Sequence, residues 1–203
     1  MLKKLLITIF LFTFNQAFAG GPIGIDHMLN KDESGIWSRN NQLFLEYASA
    51  AVVVGGALWE GNDTRLGKTF WKATDSMVMA GVASNGAKLV FRRQRPNTSN
   101  DPNAWFKSSA DKSFPSGEVT HITAIVTPFI AEYAKDTPSV WALALLPAYD
   151  AIARMKSQAH WQSDVLTGAA LGVATGLYAK NRPESWMVNA LPGGFSIGYK
   201  KSF

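Results

Sequence analysis

Apolar residues recur at helical spacing along most of the chain. Stretches rich in Ala, Leu, Val and Met are separated from one another by Gly, Asn, Asp or Pro, a pattern typical of consecutive helices. It predicts five helices, over about 41–60, 67–92, 117–135, 138–153 and 161–180. Near the end, the segments SWMVNA and FSIGYK alternate around LPGG, which predicts a short C-terminal β-hairpin. We therefore expect an all-α helical bundle followed by this hairpin.

Three apolar runs raise the question of a membrane span: AIVTPFIA, VWALALLPAY and VLTGAALGVATGLYA. None of them reaches 18 uninterrupted apolar residues, and Pro, Gly or Thr interrupt them. The mean hydropathy of the chain is near zero. We therefore expect these runs to be buried core helices of a soluble protein.

The first nineteen residues have the organisation of a secretory signal peptide. MLKK supplies a positive start, LLITIFLFTF an apolar centre, and Ala17-Phe18-Ala19 a small-residue cleavage site. An uncleaved anchor helix is the alternative, but the apolar centre is about half of a bilayer span. We predict a signal peptide over 1–19, a single domain over 20–203, and a periplasmic or secreted protein.

Composition narrows the chemistry further. The chain has no cysteine, so thiol catalysis, disulfides and cysteine-based zinc sites are excluded. The net charge is only +5 and no lysine-rich block stands out, so nucleic acid is not an expected partner.

Three clusters carry candidate chemistry, and the first is KLVFRRQRP. Lys88 and Arg95 are two helical turns apart, so they project from nearly one face, with Arg92 close to it. Two cations on one face suit an anionic ligand. The alternative is that these charges only complement the C-terminal dipole of a helix.

The second cluster is FPSG, just before a predicted helix. Free backbone N–H groups at a helix start, together with Ser116 Oγ and the small Gly117, can hold a phosphate group. An ordinary serine cap explains the same residues without a ligand.

The third cluster is ARMKSQAHWQSD. His160 and Asp164 are four residues apart, so the carboxylate can orient the imidazole as a nucleophile or base. Arg154 lies six residues upstream and could bind phosphate bidentately. The alternative is a histidine paired to a carboxylate for structure alone.

Taken together, Lys-x6-Arg-Pro, Pro-Ser-Gly and Arg-x5-His-x3-Asp resemble the three-part signature of the type 2 phosphatidic acid phosphatase (PAP2) superfamily. The resemblance implies a helical bundle in which His160 attacks phosphorus and forms a phosphohistidine while Asp164 orients it. It further implies that five residues hold the phosphate oxygens, without a metal or other cofactor: Lys88, Arg95, Ser116, Gly117 and Arg154.

The sequence departs from that signature at two positions. Ala153 stands where the third motif usually has serine, and Glu118 stands where the second motif usually ends in the histidine that protonates the leaving oxygen. Three explanations are open. Glu118 takes over proton transfer, with His121 behind it; His121 is itself the donor; or Glu118 pairs with an arginine and no acid is needed. We favour the first.

The main hypothesis is an exported phosphatase that hydrolyses phosphate monoesters of small substrates, similar in character to class A acid phosphatases. One alternative is a lipid phosphate or polyprenyl diphosphate phosphatase in peripheral contact with a membrane, where Trp105, Phe106 and Trp161 form an apolar rim. A second is a family member that binds phosphate with little turnover. A third is vanadate-dependent halide oxidation.

Overall fold

The computed structural model of the protein describes residues 20–185, 187–191 and 194–198. The predicted signal peptide (1–19) lies outside the described residues. The elements within these ranges are five α-helices, α1 (Arg39–Glu60), α2 (Arg65–Phe91), α3 (Gly117–Tyr133), α4 (Leu145–Lys156) and α5 (Gln162–Asn181), two 3-10 helices, Gly35–Trp37 and Pro138–Ala144, and two antiparallel strands, β1 (Met187–Leu191) and β2 (Gly194–Gly198).

The predicted helical bundle is confirmed, and one helix boundary differs from the expectation. The helix expected over 138–153 begins as the 3-10 helix and becomes α-helical only at Leu145, then runs to Lys156. Pro147 accounts for the late start, because a residue without an N–H is tolerated in the first turn of an α-helix but not further in. The shift matters for the site, since it keeps Arg154 within the last turn of α4.

Helix α3 lies at the centre of the bundle and packs on the other helices. Its apolar face joins a buried core with α1 and α2, made of Val53, Ala73, Ile125, Val126 and Ile130. The expectation of a buried core helix is therefore confirmed for AIVTPFIA. It is wrong for VWALALLPAY, in which Trp141 and Leu145 are 60% and 69% exposed.

Helix α5 approaches α3 backbone to backbone along a stripe of three glycines. A Cβ atom added at Gly168 would lie 2.7 Å from the Ser116 carbonyl oxygen, and one at Gly172 would lie 2.6 Å from the Thr120 carbonyl oxygen. Gly176 continues the stripe against Thr127. Only glycine permits this approach, which brings the start of α5 against the start of α3.

Helix α1 presents apolar side chains outward. Phe44, Tyr47 and Trp59 are 75%, 66% and 88% exposed. By length and composition α1 could cross a membrane, and it is the one such helix among the described residues, with 17% of its apolar window buried. Among the described helices, the one that could cross a membrane is therefore α1, which contains none of the three apolar runs considered from the sequence.

Candidate active site

His160 lies in the short connection between α4 and α5 and is 3% exposed. Its Nδ1 is 3.7 Å from Asp164 Oδ2, longer than a hydrogen bond but close enough to orient the ring. Burial lowers the pKa of His160 to about 3, and the neighbouring cations Lys88 and Arg154 act in the same direction. The imidazole is therefore neutral at physiological pH. With Nδ1 facing Asp164, its Nε2 is the nitrogen available for attack.

Asp164 is fully buried and held by three donors. Arg93 Nη1 donates to Oδ1 at 2.5 Å, and Ser113 Oγ and the Trp161 N–H donate to Oδ2 at 2.5 and 2.9 Å. Burial alone would raise its pKa, but His160, Arg93 and Ser113 hold the pKa below its ordinary value. Asp164 is thus a fixed carboxylate that can stabilise positive charge on His160.

The second motif opens α3 as the sequence predicts. Ser116 precedes the first helical residue, Gly117, and makes no side-chain capping bond. In the described part of the chain its Oγ is buried with no hydrogen-bond partner, while its N–H donates to the Asp164 carbonyl oxygen at 3.0 Å. A buried hydroxyl without a partner costs free energy. A bound phosphate oxygen would satisfy it, so the ordinary serine cap does not explain this residue.

Lys88 joins the first motif to the second. It lies in the last turn of α2, and its Nζ donates to the carbonyl oxygens of Lys112 and Pro115 at 2.9 and 2.5 Å. Burial, and then Arg95, lowers the pKa of Lys88 to about 8. One of its three N–H bonds is left for a ligand, so a bound phosphate would also keep this lysine charged.

Of the two arginines predicted to bind phosphate, Arg154 is buried and Arg95 is half-buried. Burial lowers the pKa of Arg95 and of Arg154, and nearby Glu118 opposes this in each case. Arg154 Nη1 donates to Gln42 Oε1 at 2.9 Å, while its Nε has no partner among the residues described. The structure thus brings Lys88, Arg95 and Arg154 into one group of mutually repelling cations beside His160, which an anion would stabilise.

Glu118 forms a bidentate salt bridge with Arg39, a residue that the sequence did not predict for the site. Arg39 Nη1 and Nη2 donate to its two carboxylate oxygens at 2.6 and 2.9 Å, and Arg154 Nη1 lies 3.6 Å away. Burial opposes ionisation, but these arginines hold the pKa of Glu118 below its ordinary value. In the resting site Glu118 is ionised and has no proton to give, as the arginine-pairing explanation requires.

His121 lies outside this group. Its Nδ1 is 3.1 Å from Glu46 Oε1 on α1, and its Nε2 faces α2 at Gly81. It sits one turn beyond Glu118 and between two other helices. The structure therefore does not bring His121 to the phosphate-binding residues.

Arg92 does not lie on the predicted cationic face, whereas its neighbour Arg93, which the sequence did not single out, is buried beside the site. Arg92 ends α2 in a left-handed conformation with φ of 41° and does not extend the cationic face. Arg93 is fully buried and bonds Asp26, Ser163 and Asp164. Helical spacing could not reveal this, because the helix ends before Arg93.

The apolar rim expected for a lipid substrate is only partly present. Trp161 is buried and Trp105 stacks on Arg93 at 4.4 Å and packs edge-on against Phe114. Phe106 alone of the three proposed rim residues is largely exposed. Exposed apolar side chains lie instead on other elements, among them α1, the helix that also supplies Arg39.

We predict that Glu118→Gln slows hydrolysis of alkyl phosphates by about 100-fold, the usual scale for losing proton transfer. Aryl phosphates should lose much less, because their leaving oxygen needs little protonation. Steady-state rates on alkyl and aryl phosphates distinguish proton transfer by Glu118 from a purely structural role. Equal losses would mean that Glu118 only holds Arg39 and Arg154 in place.

Comparisons with known proteins agree with this geometry. Residues 69–186 match the family described as the PAP2 superfamily. The lipid A 1-phosphatase of Porphyromonas gingivalis is 30% identical over 130 residues, which cover 63% of this chain and 26% of that protein. The chain thus spans about a quarter of the length of that curated relative.

A solved structure shows the same fold. The crystal structure of Aquifex aeolicus LpxE matches with a TM-score of 0.51 and 19% identity, over 68% of this chain and 82% of that one. These two proteins do not support the expected likeness to exported class A acid phosphatases. The match over more than half of the sequence, with all three motifs gathered around His160, shows that the chain belongs to the PAP2 superfamily of phosphatases.

Proposed function

We propose that the protein hydrolyses a phosphate monoester carried by a membrane lipid, through a phosphohistidine formed on His160. The observation that supports this chemistry is that a neutral, buried His160 lies beside three cations and the Ser116 hydroxyl, which has no hydrogen-bond partner among the described residues. His160 Nε2 would attack phosphorus while Asp164 stabilises the charge that develops on the ring. Lys88, Arg95, Arg154 and the start of α3 would hold the phosphate oxygens, whose charge is spread in the transition state.

Two observations support a lipid substrate over a soluble one. The curated relative is a lipid A 1-phosphatase. In this chain, α1 carries Arg39 of the site at its first residue and exposed Phe44, Tyr47 and Trp59 along its length. Phe44 and Trp59 project from the side of α1 roughly opposite Arg39, so this surface would hold the helix against the membrane that contains the lipid rather than contact the phosphate. The predicted leader supports a site on the exported side of the membrane, in the periplasm or outside the cell.

The test compares phosphate release by the full chain from lipid A or phosphatidic acid in micelles with release from a soluble sugar phosphate, in EDTA. We expect kcat/KM to be at least about tenfold higher for the lipid, since a buried aromatic side chain contributes about 1.5–3 kcal/mol. Phe44→Ser and Trp59→Ser should lower the lipid rate and leave the soluble rate unchanged.

Trp141→Ser, which removes a similarly exposed ring outside α1, is the matched control. Equal rates on lipid and soluble esters, with no effect of the α1 variants, would indicate instead a phosphatase that acts on soluble phosphate monoesters. Phosphate binding without turnover on either substrate would identify a binding protein.

A further inference from the structure

Asp150 is a buried acid that the three motifs leave unexplained. It lies on α4, one turn before Arg154, and is fully buried. Neither of its carboxylate oxygens has a hydrogen-bond partner within the described ranges. An ionised carboxylate in such a place would be costly, so the geometry indicates a protonated side chain.

The charges around Asp150 come from three helices. Arg39 and Glu46 face it from α1, Glu118 from α3, and Arg154 from its own helix; the adjacent Tyr149 also interacts with it. Both arginines are engaged elsewhere: Arg39 with Glu118, and Arg154 with Gln42 and, at 3.6 Å, Glu118. Glu118 therefore takes the positive charge and Asp150 is left without a counter-ion.

The pKa values of Glu118 and Asp150 are therefore shifted in opposite directions. The pKa of Glu118 is held below its ordinary value, whereas burial, and then Glu118, raises the pKa of Asp150 to about 7. Neighbouring carboxyls with divergent acidities are the usual arrangement for an acid and its conjugate partner in one site. Below about pH 7 this pair of carboxyls therefore holds one proton, and it resides on Asp150.

We propose that Asp150 stores the proton that Glu118 passes to the leaving oxygen, so that a carboxyl pair replaces the histidine that ends the second motif in the family. This inference rests on the proposed function and deepens it. A bound phosphate dianion draws Arg154 toward itself and repels Glu118, which raises the affinity of Glu118 for the stored proton.

The proton balance closes over one turnover. His160 Nε2 forms a bond to phosphorus as the bond from phosphorus to the leaving oxygen breaks, and that oxygen takes the proton from Glu118. That proton reaches Glu118 from Asp150 before the transfer, so both carboxyls are ionised in the phosphoenzyme. Water then attacks phosphorus, the bond from phosphorus to His160 Nε2 breaks, and the proton that this water releases returns through Glu118 to Asp150. Asp150 is therefore a positioning residue for the proton and does not touch the substrate.

The experiment measures kcat/KM against pH for alkyl and aryl phosphates in the wild type and in Asp150→Asn. We expect the variant to lose about 100-fold on the alkyl phosphate and little on the aryl phosphate. In the wild type, kcat/KM for the alkyl phosphate should fall above about pH 7. This fall, the alkyl limb of the pH profile, should be missing from the variant. A fall near pH 8 that both substrates share belongs to Lys88.

Thermal unfolding gives a readout that does not depend on activity. The folded chain keeps the Asp150 proton up to about pH 7 while the unfolded chain loses it near pH 4. The wild type therefore loses stability as pH rises between these values, and asparagine does not. The melting temperature of Asp150→Asn, relative to wild type, should be higher at pH 8 than at pH 5. The opposite trend would overturn the proposal, because it would show an ionised, paired Asp150.

A second variant covers the case in which Asp150→Asn does not fold. Glu46→Gln removes a like charge that faces Asp150, so the alkyl limb should move to lower pH while the rate at pH 5.5 stays unchanged. Asp136→Asn, at an exposed ion pair on the surface, is the control and should move nothing. An unmoved limb in Glu46→Gln overturns the proposal. If the wild type hydrolyses no phosphate ester, the proposed function fails, and the unfolding comparison still decides where the proton lies.

Discussion

Replacing His160 with alanine is expected to abolish phosphate release, with kcat falling by at least about 10⁴-fold, as is found when a nucleophile is removed from a group that acts as a unit. The physical reason is that the other described groups of the site are weak nucleophiles. Asp164 is held by three donors, and a neutral hydroxyl such as that of Ser116 attacks poorly unless a base activates it. The measurement is release of inorganic phosphate, together with trapping of an acid-labile phosphoenzyme from labelled substrate.

The control is His27→Ala, which removes an exposed histidine of the N-terminal segment and should change neither the rate nor the labelling. His160→Ala should still bind inorganic phosphate, because the cations and the start of α3 remain. Substantial turnover in the variant would show that water attacks phosphorus directly and that no phosphohistidine forms.

Replacing Arg93 with alanine is expected to cost about 3–5 kcal/mol of unfolding free energy, since it leaves buried carboxylates without their counter-ion. Arg93 is fully buried and its guanidinium contacts Asp26 and Asp164 at 2.5 Å each. It also donates to the Pro102 carbonyl oxygen and lies over the ring of Trp105. The loss is measured by urea unfolding of the full chain.

Arg65 is a matched control because it also pairs with two carboxylates. It reaches Glu132 and Asp136 at 2.7 and 2.6 Å, but its side chain is 49% exposed. Arg65→Ala should cost less than about 1 kcal/mol, as surface ion pairs do. Similar losses for the two variants would contradict the view that Arg93 is the buried centre of this network.

The fold and the three motifs could be predicted because their signals are local. Helical spacing placed the five helices, with the one boundary error at Leu145, and motif spacing selected His160, Asp164, Ser116 and Lys88. These residues are identified by neighbours within a few positions of the chain. The structure then brings the three motifs together at the ends of α2 and α4 and at the starts of α3 and α5.

The remaining residues of the site could not be predicted because their partners are remote in sequence. Arg39 bonds Glu118 across 79 residues, and Gln42 bonds Arg154 across 112. Asp150 belongs to none of the three motifs, and its raised pKa depends on burial and on Glu118. The sequence showed that the usual histidine was missing, but the carboxyl pair proposed to replace it depends on the packing of α1 and α4 around Glu118.

The glycine stripe on α5 has a consequence for how this site can diversify. Main-chain contact between α3 and α5 fixes the spacing between the nucleophile and the phosphate cradle, so no side chain adjusts that distance. In the proposed mechanism, by contrast, the residues that act on Glu118 and on the lipid lie outside this contact: Arg39 and the exposed aromatic side chains on α1, and Asp150 on α4. Substitutions at those positions are therefore expected to alter which alcohol is released while the residues around phosphorus stay in place, so that substrate choice and bond cleavage can evolve separately in one small domain.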